Sequence, residues 1–327
     1  MSRVRFAPAE ALLLGRKLND RVAEAGQRRQ RAEVEEILRR FREQPGVILA
    51  DEVGMGKTFV ALGVAVSVAL SEASGPVIVM APPALLTKWA GDLKAFAELY
   101  VEDATVCDVA ERPSGGRSRG TVIRFGVARH SIDLMRLLDD APRERAHLIF
   151  LAQGAMRRKQ TDKWIRLALV AETLRRHARG GAKRLIAVKA QIHRFMAPLI
   201  SALGEERQHD LGEQLWNHLL SSAPESWRET YNAEVTDQDA MLRDDPVPKA
   251  IARVLQRGDL DLKPLADALA EMPLRARGTE AQVRARIKDV QSSLRELEGR
   301  LWADLLHQAR WRSPLLILDE AHHLKNV

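Results

Sequence analysis

The stretch VILADEVGMGKTFVALG, residues 47 to 63, does most to narrow what this chain can fold into. A short apolar run, Val47 to Ala50, precedes a turn with glycines at 54 and 56. From Thr58 onward the residues read as helix. Glycine lets the backbone bend tightly enough for amide N–H groups to converge on an anion. A helix starting near Thr58 aims the positive end of its dipole at the same point. Lys57 is then placed to reach the β and γ phosphates of a nucleotide, and Thr58 to set its hydroxyl on Mg²⁺. The spacing matters because amides, ammonium and metal must surround one triphosphate. Glu52, Val53, Gly54, Met55, Gly56, Lys57 and Thr58 are the candidate nucleotide-binding turn. The general phosphate-loop pattern has glycine six residues before the lysine, where this chain has Asp51. The alternative is an ordinary glycine-rich turn, and the strand–turn–helix setting argues against it.

The rest of the chain gives that turn an α/β context. Residues 8–44 read as helix, ended by Pro45-Gly46. Beyond the turn, VIVMA (77–81), ATVCDV (104–109) and HLIFLA (147–152) read as strands, with an amphipathic helix over Leu85 to Leu99 and a polar loop over 111–120. Strands alternating with helices predict a parallel sheet. After Ala155 the pattern turns helical. Val283, Ile287, Val290, Leu294, Leu297 and Leu301 form an a/d seam, suited to a bundle helix or a short coiled-coil arm. Strand character returns at LLIL (315–318). The expected organisation is one α/β lobe, residues 1–156 and 311–327, interrupted by a helical insertion at 157–310.

The returning strand ends in DEAHHLKN. An Asp at such a strand end holds Mg²⁺, commonly through water, and a neighbouring Glu orients or deprotonates the attacking water. Asp319 and Glu320 fit these roles, and with Lys57 they are the candidate catalytic residues. Thr58 and Asp319 are the candidate Mg²⁺ ligands. His322 and His323 lack the cysteine partners or the H-E-x-x-H helix that a transition-metal site would need.

These segments together resemble a superfamily 2 helicase-type ATPase, and more narrowly its sucrose-nonfermenting, chromatin-remodeller-like branch. ADEVGMGKT is similar to that branch's motif I, in which acidic residues replace the early glycine. VIVMAPPALLTKWAGDL (77–93) resembles motif Ia, with Pro82, Pro83 and Trp89. LIFLAQGAM (148–156) is similar to the segment around motif Ib, and the Asp-Glu-Ala-His box resembles motif II. The resemblance implies a RecA-like lobe that binds ATP and moves on nucleic acid, usually double-stranded DNA. It places Pro82, Pro83 and Gln153 by the DNA backbone, gives His322 a coupling role, and offers Gln30 or Gln27 as an adenine-reading glutamine. It also implies a second RecA-like lobe, expected from the full protein or a partner chain, because the sequence given ends at Val327 before any motif III. The expected function is the ATP-binding lobe of an ATP-dependent DNA helicase or translocase. The alternative is a non-catalytic ATP-binding or interaction module of a truncated or split motor. A AAA+ ATPase fits the Asp-Glu-Ala-His box and the Trp89 segment less well.

Charge and cysteine content bound the setting. Arg157 to Arg194 holds 12 basic and 2 acidic residues, and residues 195–274 hold 7 basic and 15 acidic. The basic block, including Arg175, Arg176 and Arg179, is an expected phosphate-contacting surface; a solvated helical face is the alternative. The lone Cys107 excludes an intrachain disulfide and suits a reducing cytoplasm. No run approaches the ~18 apolar residues of a membrane span.

Overall fold

Short apolar runs rich in Val, Ile and Leu pair into one sheet. The computed structural model describes residues 6–17, 23–50, 56–71, 75–111, 120–141, 144–155, 162–178, 183–200, 212–235, 241–242, 244–273, 279–308 and 312–320. Its strands are β1 (Val77–Ala81), β2 (Ala104–Asp108), β3 (Thr121–Ala128), β4 (Leu148–Ala152) and β5 (Leu316–Leu318). They lie in the order β2-β3-β4-β1-β5, every pair parallel. A parallel sheet needs cover on both faces, so its inner strands read as unbroken apolar runs; β4 is buried at every residue.

The covering helices are α1 (Glu24–Arg40), α2 (Lys57–Ala69), α3 (Leu86–Tyr100) and α4 (Ser131–Asp139). Every residue of α2 from Leu62 to Val68 is buried, which is why its sequence is apolar all round. At Gly63 a Cβ would sit 2.8 Å from Val34 Cγ2, so glycine lets α1 and α2 approach closely. Phe59 meets Phe96 and Tyr100 of α3 edge to face at 5.6 and 5.9 Å.

Two expectations are corrected here. The helix expected over 8–44 is confined to α1. Upstream of it, Leu12 forms an antiparallel bridge with Val101, and Leu13 N–H donates to the Tyr100 carbonyl at 2.8 Å. Leu12 and Leu14 are thereby sunk in the core, a tertiary gain that outweighs local helix propensity. The strand expected over 47–50 is not formed, and Ile48 is 92% exposed. A strand needs a ladder partner. The described residues place nothing on the outer edge of β5, where Leu316 and Leu318 are exposed. Strand β3 and helix α4 are additions to the sequence reading.

Residues 1–156 with 310–327 form one unit and 157–309 another. The described part of the second is all helical: α5 (Lys163–Ala178), α6 (Lys183–Lys189), α7 (His193–Ile200), α8 (Glu213–Ser221), α9 (Trp227–Glu234), α10 (Lys249–Arg257), α11 (Lys263–Ala270) and α12 (Glu280–Gln308). Asp162 caps α5, its carboxylate accepting the N–H groups of Trp164 and Ile165 at 2.9 and 3.1 Å. Along α12, Val290, Leu294, Leu297 and Leu301 are buried, and the helix packs on α5, α7, α10 and α11. The seam is the inner face of a bundle there, while Val283 and Ile287 stay half-buried. Several arginines of the basic block are engaged within this unit. Arg175 and Arg176 pair with Glu172, and Arg184 donates to the carbonyls of Ala270 and Met272. Arg166 forms a two-pronged pair with Glu298 at 3.0 and 3.3 Å, both side chains buried.

Burial raises the Glu298 carboxyl despite the pull of Arg166. Removing one partner of such a pair strands the other charge. Arg166→Ala should therefore destabilise this unit by about 3–5 kcal/mol in urea unfolding, and Arg166→Met with Glu298→Leu should recover most of the loss.

In the sheet unit, burial and the neighbouring Arg124 push the His147 imidazole from 6.5 down to about 4. The unfolded chain then binds the extra proton between those values, so stability rises with pH across the window. The contribution of neutral His147 is complete above pH 6.5 and is lost as pH falls toward about 4. Denaturation midpoints at pH 7 and pH 5 should differ less in His147→Gln than in the parent protein.

Candidate functional site

All five strands are parallel, so their C-terminal ends define one edge of the sheet. Helix α2 ends at Ala69 and feeds β1 at its N-terminal end within a short connection. Packed on β1 and β4, α2 runs back along the sheet. Its N-terminus, with Gly56, Lys57 and Thr58, thus lies at the same edge that Asp319 reaches at the end of β5. Open α/β sheets bind their ligands along that edge.

Gly56 is the N-cap of α2, with φ of 80°. Its backbone is left-handed, and a Cβ there would collide with the side-chain amide of Gln30 from α1. Glycine is required on both counts. Among the described residues no side chain caps α2, and no acidic residue occupies its first turn, the arrangement that favours an anion at a helix N-terminus. Lys57 and Thr58 are half-buried beside it. Gln30 is 5% exposed, and its Oε1 has no hydrogen-bond partner among the described residues. A buried acceptor of this kind calls for a donor. Of the two glutamines considered, Gln30 is the one whose amide lies against the Gly56 turn.

Asp319 is held at three atoms. Its backbone N–H donates to the Met80 carbonyl at 2.9 Å, extending the β1–β5 ladder. Its own carbonyl accepts from Gln153 Nε2 at 2.8 Å. Its Oδ2 accepts from Trp89 Nε1 at 2.9 Å. Gln153 itself sits at the end of β4, its N–H on the Ala81 carbonyl at 3.0 Å. Glu320 follows with φ of 51°, left-handed although not glycine; such backbone persists only where its surroundings hold it. Pro82 and Pro83 lie just past β1, in the turn that opens α3.

Asp319, Gln153, Pro82 and Pro83 therefore share the edge with Gly56, Lys57 and Thr58. Glu52, Val53, Gly54, Met55 and His322 lie outside the described residues. Thr58 and Asp319 provide the hard oxygen donors that suit Mg²⁺, which binds through one or two protein oxygens and keeps several waters. In the sequence Trp89 stands out only as part of the segment 77–93. Its contact with Asp319 spans 230 positions and has no local signal. Among the described residues no helix is long and apolar enough to cross a membrane.

Neither a curated protein nor a solved structure matches the chain. The family model for the SNF2-related domain matches residues 29–145, from α1 through the turn at Gly56 to the approach to β4. Members of that family are ATPases that use ATP and Mg²⁺. That match takes in 117 of the 327 residues and supports reading the sheet unit as the N-terminal, RecA-like lobe of an SNF2-type superfamily 2 protein.

Proposed function

We propose that this chain is the ATP-binding lobe of a DNA translocase or helicase, turning over ATP together with a second RecA-like lobe. The reading rests on one observation: all strands are parallel and α2 packs on β1 and β4, a topology that sets the N-terminus of α2 and the end of β5 at one sheet edge, within a unit that includes the segment matched by the SNF2-related domain. Lys57 and the first-turn amides of α2 bind the phosphates, completed on sequence grounds by Glu52 to Met55. Thr58 and Asp319 hold Mg²⁺, Glu320 orients the attacking water, and Gln30 contacts the base. Pro82, Pro83 and Gln153 face the nucleic acid, and His322 couples the two sites. In such enzymes the other lobe contributes an arginine that stabilises transition-state charge. Residues 157–309 are an insertion between β4 and β5.

Two measurements test this. Mg²⁺·ATP binding, followed by calorimetry, should fall at least tenfold in Lys57→Ala, since the ammonium–phosphate contact is charge-assisted. Gly56→Ala should lose binding as well, through backbone strain and the clash with Gln30. Unchanged affinity in Lys57→Ala would remove the nucleotide assignment. Second, turnover by the chain supplied with its second lobe should rise on adding duplex DNA, and the stimulation should fall steeply with salt. ATP binding with no turnover under any of these conditions would favour the non-catalytic module instead.

A further inference from the structure

We infer that Trp89 is a positioning residue for the metal site: its indole N–H fixes one oxygen of Asp319 and so presents the other to Mg²⁺. This rests on the proposal that Asp319 serves as a Mg²⁺ carboxylate.

Three observations carry it. The first is the bond itself. Trp89 Nε1 donates to Asp319 Oδ2 at 2.9 Å. An indole N–H is a donor with no acceptor function. Its partner must keep a lone pair free, which the ionised carboxylate does, and a hydrogen bond to that ion is charge-assisted. The second is that the donor is itself held firmly. Trp89 is 5% exposed on the buried face of α3, in line with Leu86, Leu93 and Phe96, and its ring tilts against Phe150 of β4 at 6.2 Å. The third is a contrast within the chain. Among the described residues, the buried Nε1 atoms of Trp227 and Trp302 have no hydrogen-bond partner. This chain buries indoles without pairing them, so packing alone does not demand the contact at Trp89.

The consequence is geometric. The Asp319 backbone is tied to Met80 and Gln153, and the indole removes rotation about its carboxylate. Asp319 Oδ1 is the oxygen left to the metal or its waters. Because α3 begins just beyond Pro82 and Pro83, the same helix links that turn to the acidic end of β5.

The test compares the parent chain with Trp89→Phe, Trp89→Tyr and Asp319→Asn. ADP affinity is titrated against Mg²⁺ concentration, and the six tryptophan indole N–H signals are followed by NMR. Loss of a group that orients a metal ligand typically costs 10–100-fold in metal affinity. Trp89→Phe should therefore need about tenfold more Mg²⁺ for half-maximal effect, with ADP affinity in the absence of Mg²⁺ unchanged. In the parent chain one indole signal, absent from Trp89→Phe or Trp89→Tyr, should move in Asp319→Asn and on adding Mg²⁺·ADP. An unaltered Mg²⁺ midpoint in a folded Trp89→Phe overturns the inference while leaving Asp319 in place. Should neither Trp89 variant fold, an indole spectrum that ignores both Asp319→Asn and Mg²⁺·ADP overturns it. Parent-chain ADP binding that ignores both Mg²⁺ and Asp319→Asn overturns the underlying reading of Asp319, and the inference with it.

Discussion

The pairing of β5 with β1 is the constraint on which the site depends. Ile78, Val79 and Met80 lie in register with Leu316, Ile317 and Leu318, and the ladder continues into the Asp319 N–H. More than 160 residues separate β4 from β5 along the chain. Closing such a span costs only about 0.6 kcal/mol more for each doubling of its length, because the cost grows with the logarithm of length. A helical unit with its own core can therefore stand between two strands of one sheet. The three-residue β5 must still choose its register. A slip of one residue would exchange the two sheet faces and carry Asp319 away from Trp89.

Around that ladder, hydrogen bonds convert an exposed strand end into a defined site. Gln153 holds the Asp319 carbonyl, Trp89 holds the carboxylate, and Glu320 accepts a left-handed backbone directly after them. The apolar body of α2 is buried against α1 and α3, while among the described residues no side chain caps its N-terminus. Stability comes from the apolar middle of the lobe, and its polar rim is the place where we propose that phosphate and metal bind.

The helical unit follows a different logic. Part of its basic block is engaged in contacts within the unit. Arg166 is buried with Glu298, and Arg175, Arg176 and Arg184 reach partners inside the unit. A count of basic residues does not distinguish a phosphate-binding face from a set of internal ion pairs, since only packing decides which guanidinium groups meet water.

The parallel α/β lobe, the position of the glycine-rich turn before α2, the Asp-Glu pair after a strand and the helical character of the block between are legible in the sequence. These follow from local rules: apolar runs of strand length, glycine where φ must be positive, and helix periodicity. The remainder is set by packing. Residues 47–50 carry strand-like composition yet pair with no described strand, and composition makes a strand only where a ladder forms. Residues 9–17 leave the helix their composition favours, because Leu12 and Leu14 gain more in the core. The contact of Trp89 with Asp319 depends on strand order, on the rotation of α3 and on a register set far along the chain. A local sequence pattern reports none of these, because each is fixed by packing between segments distant in sequence.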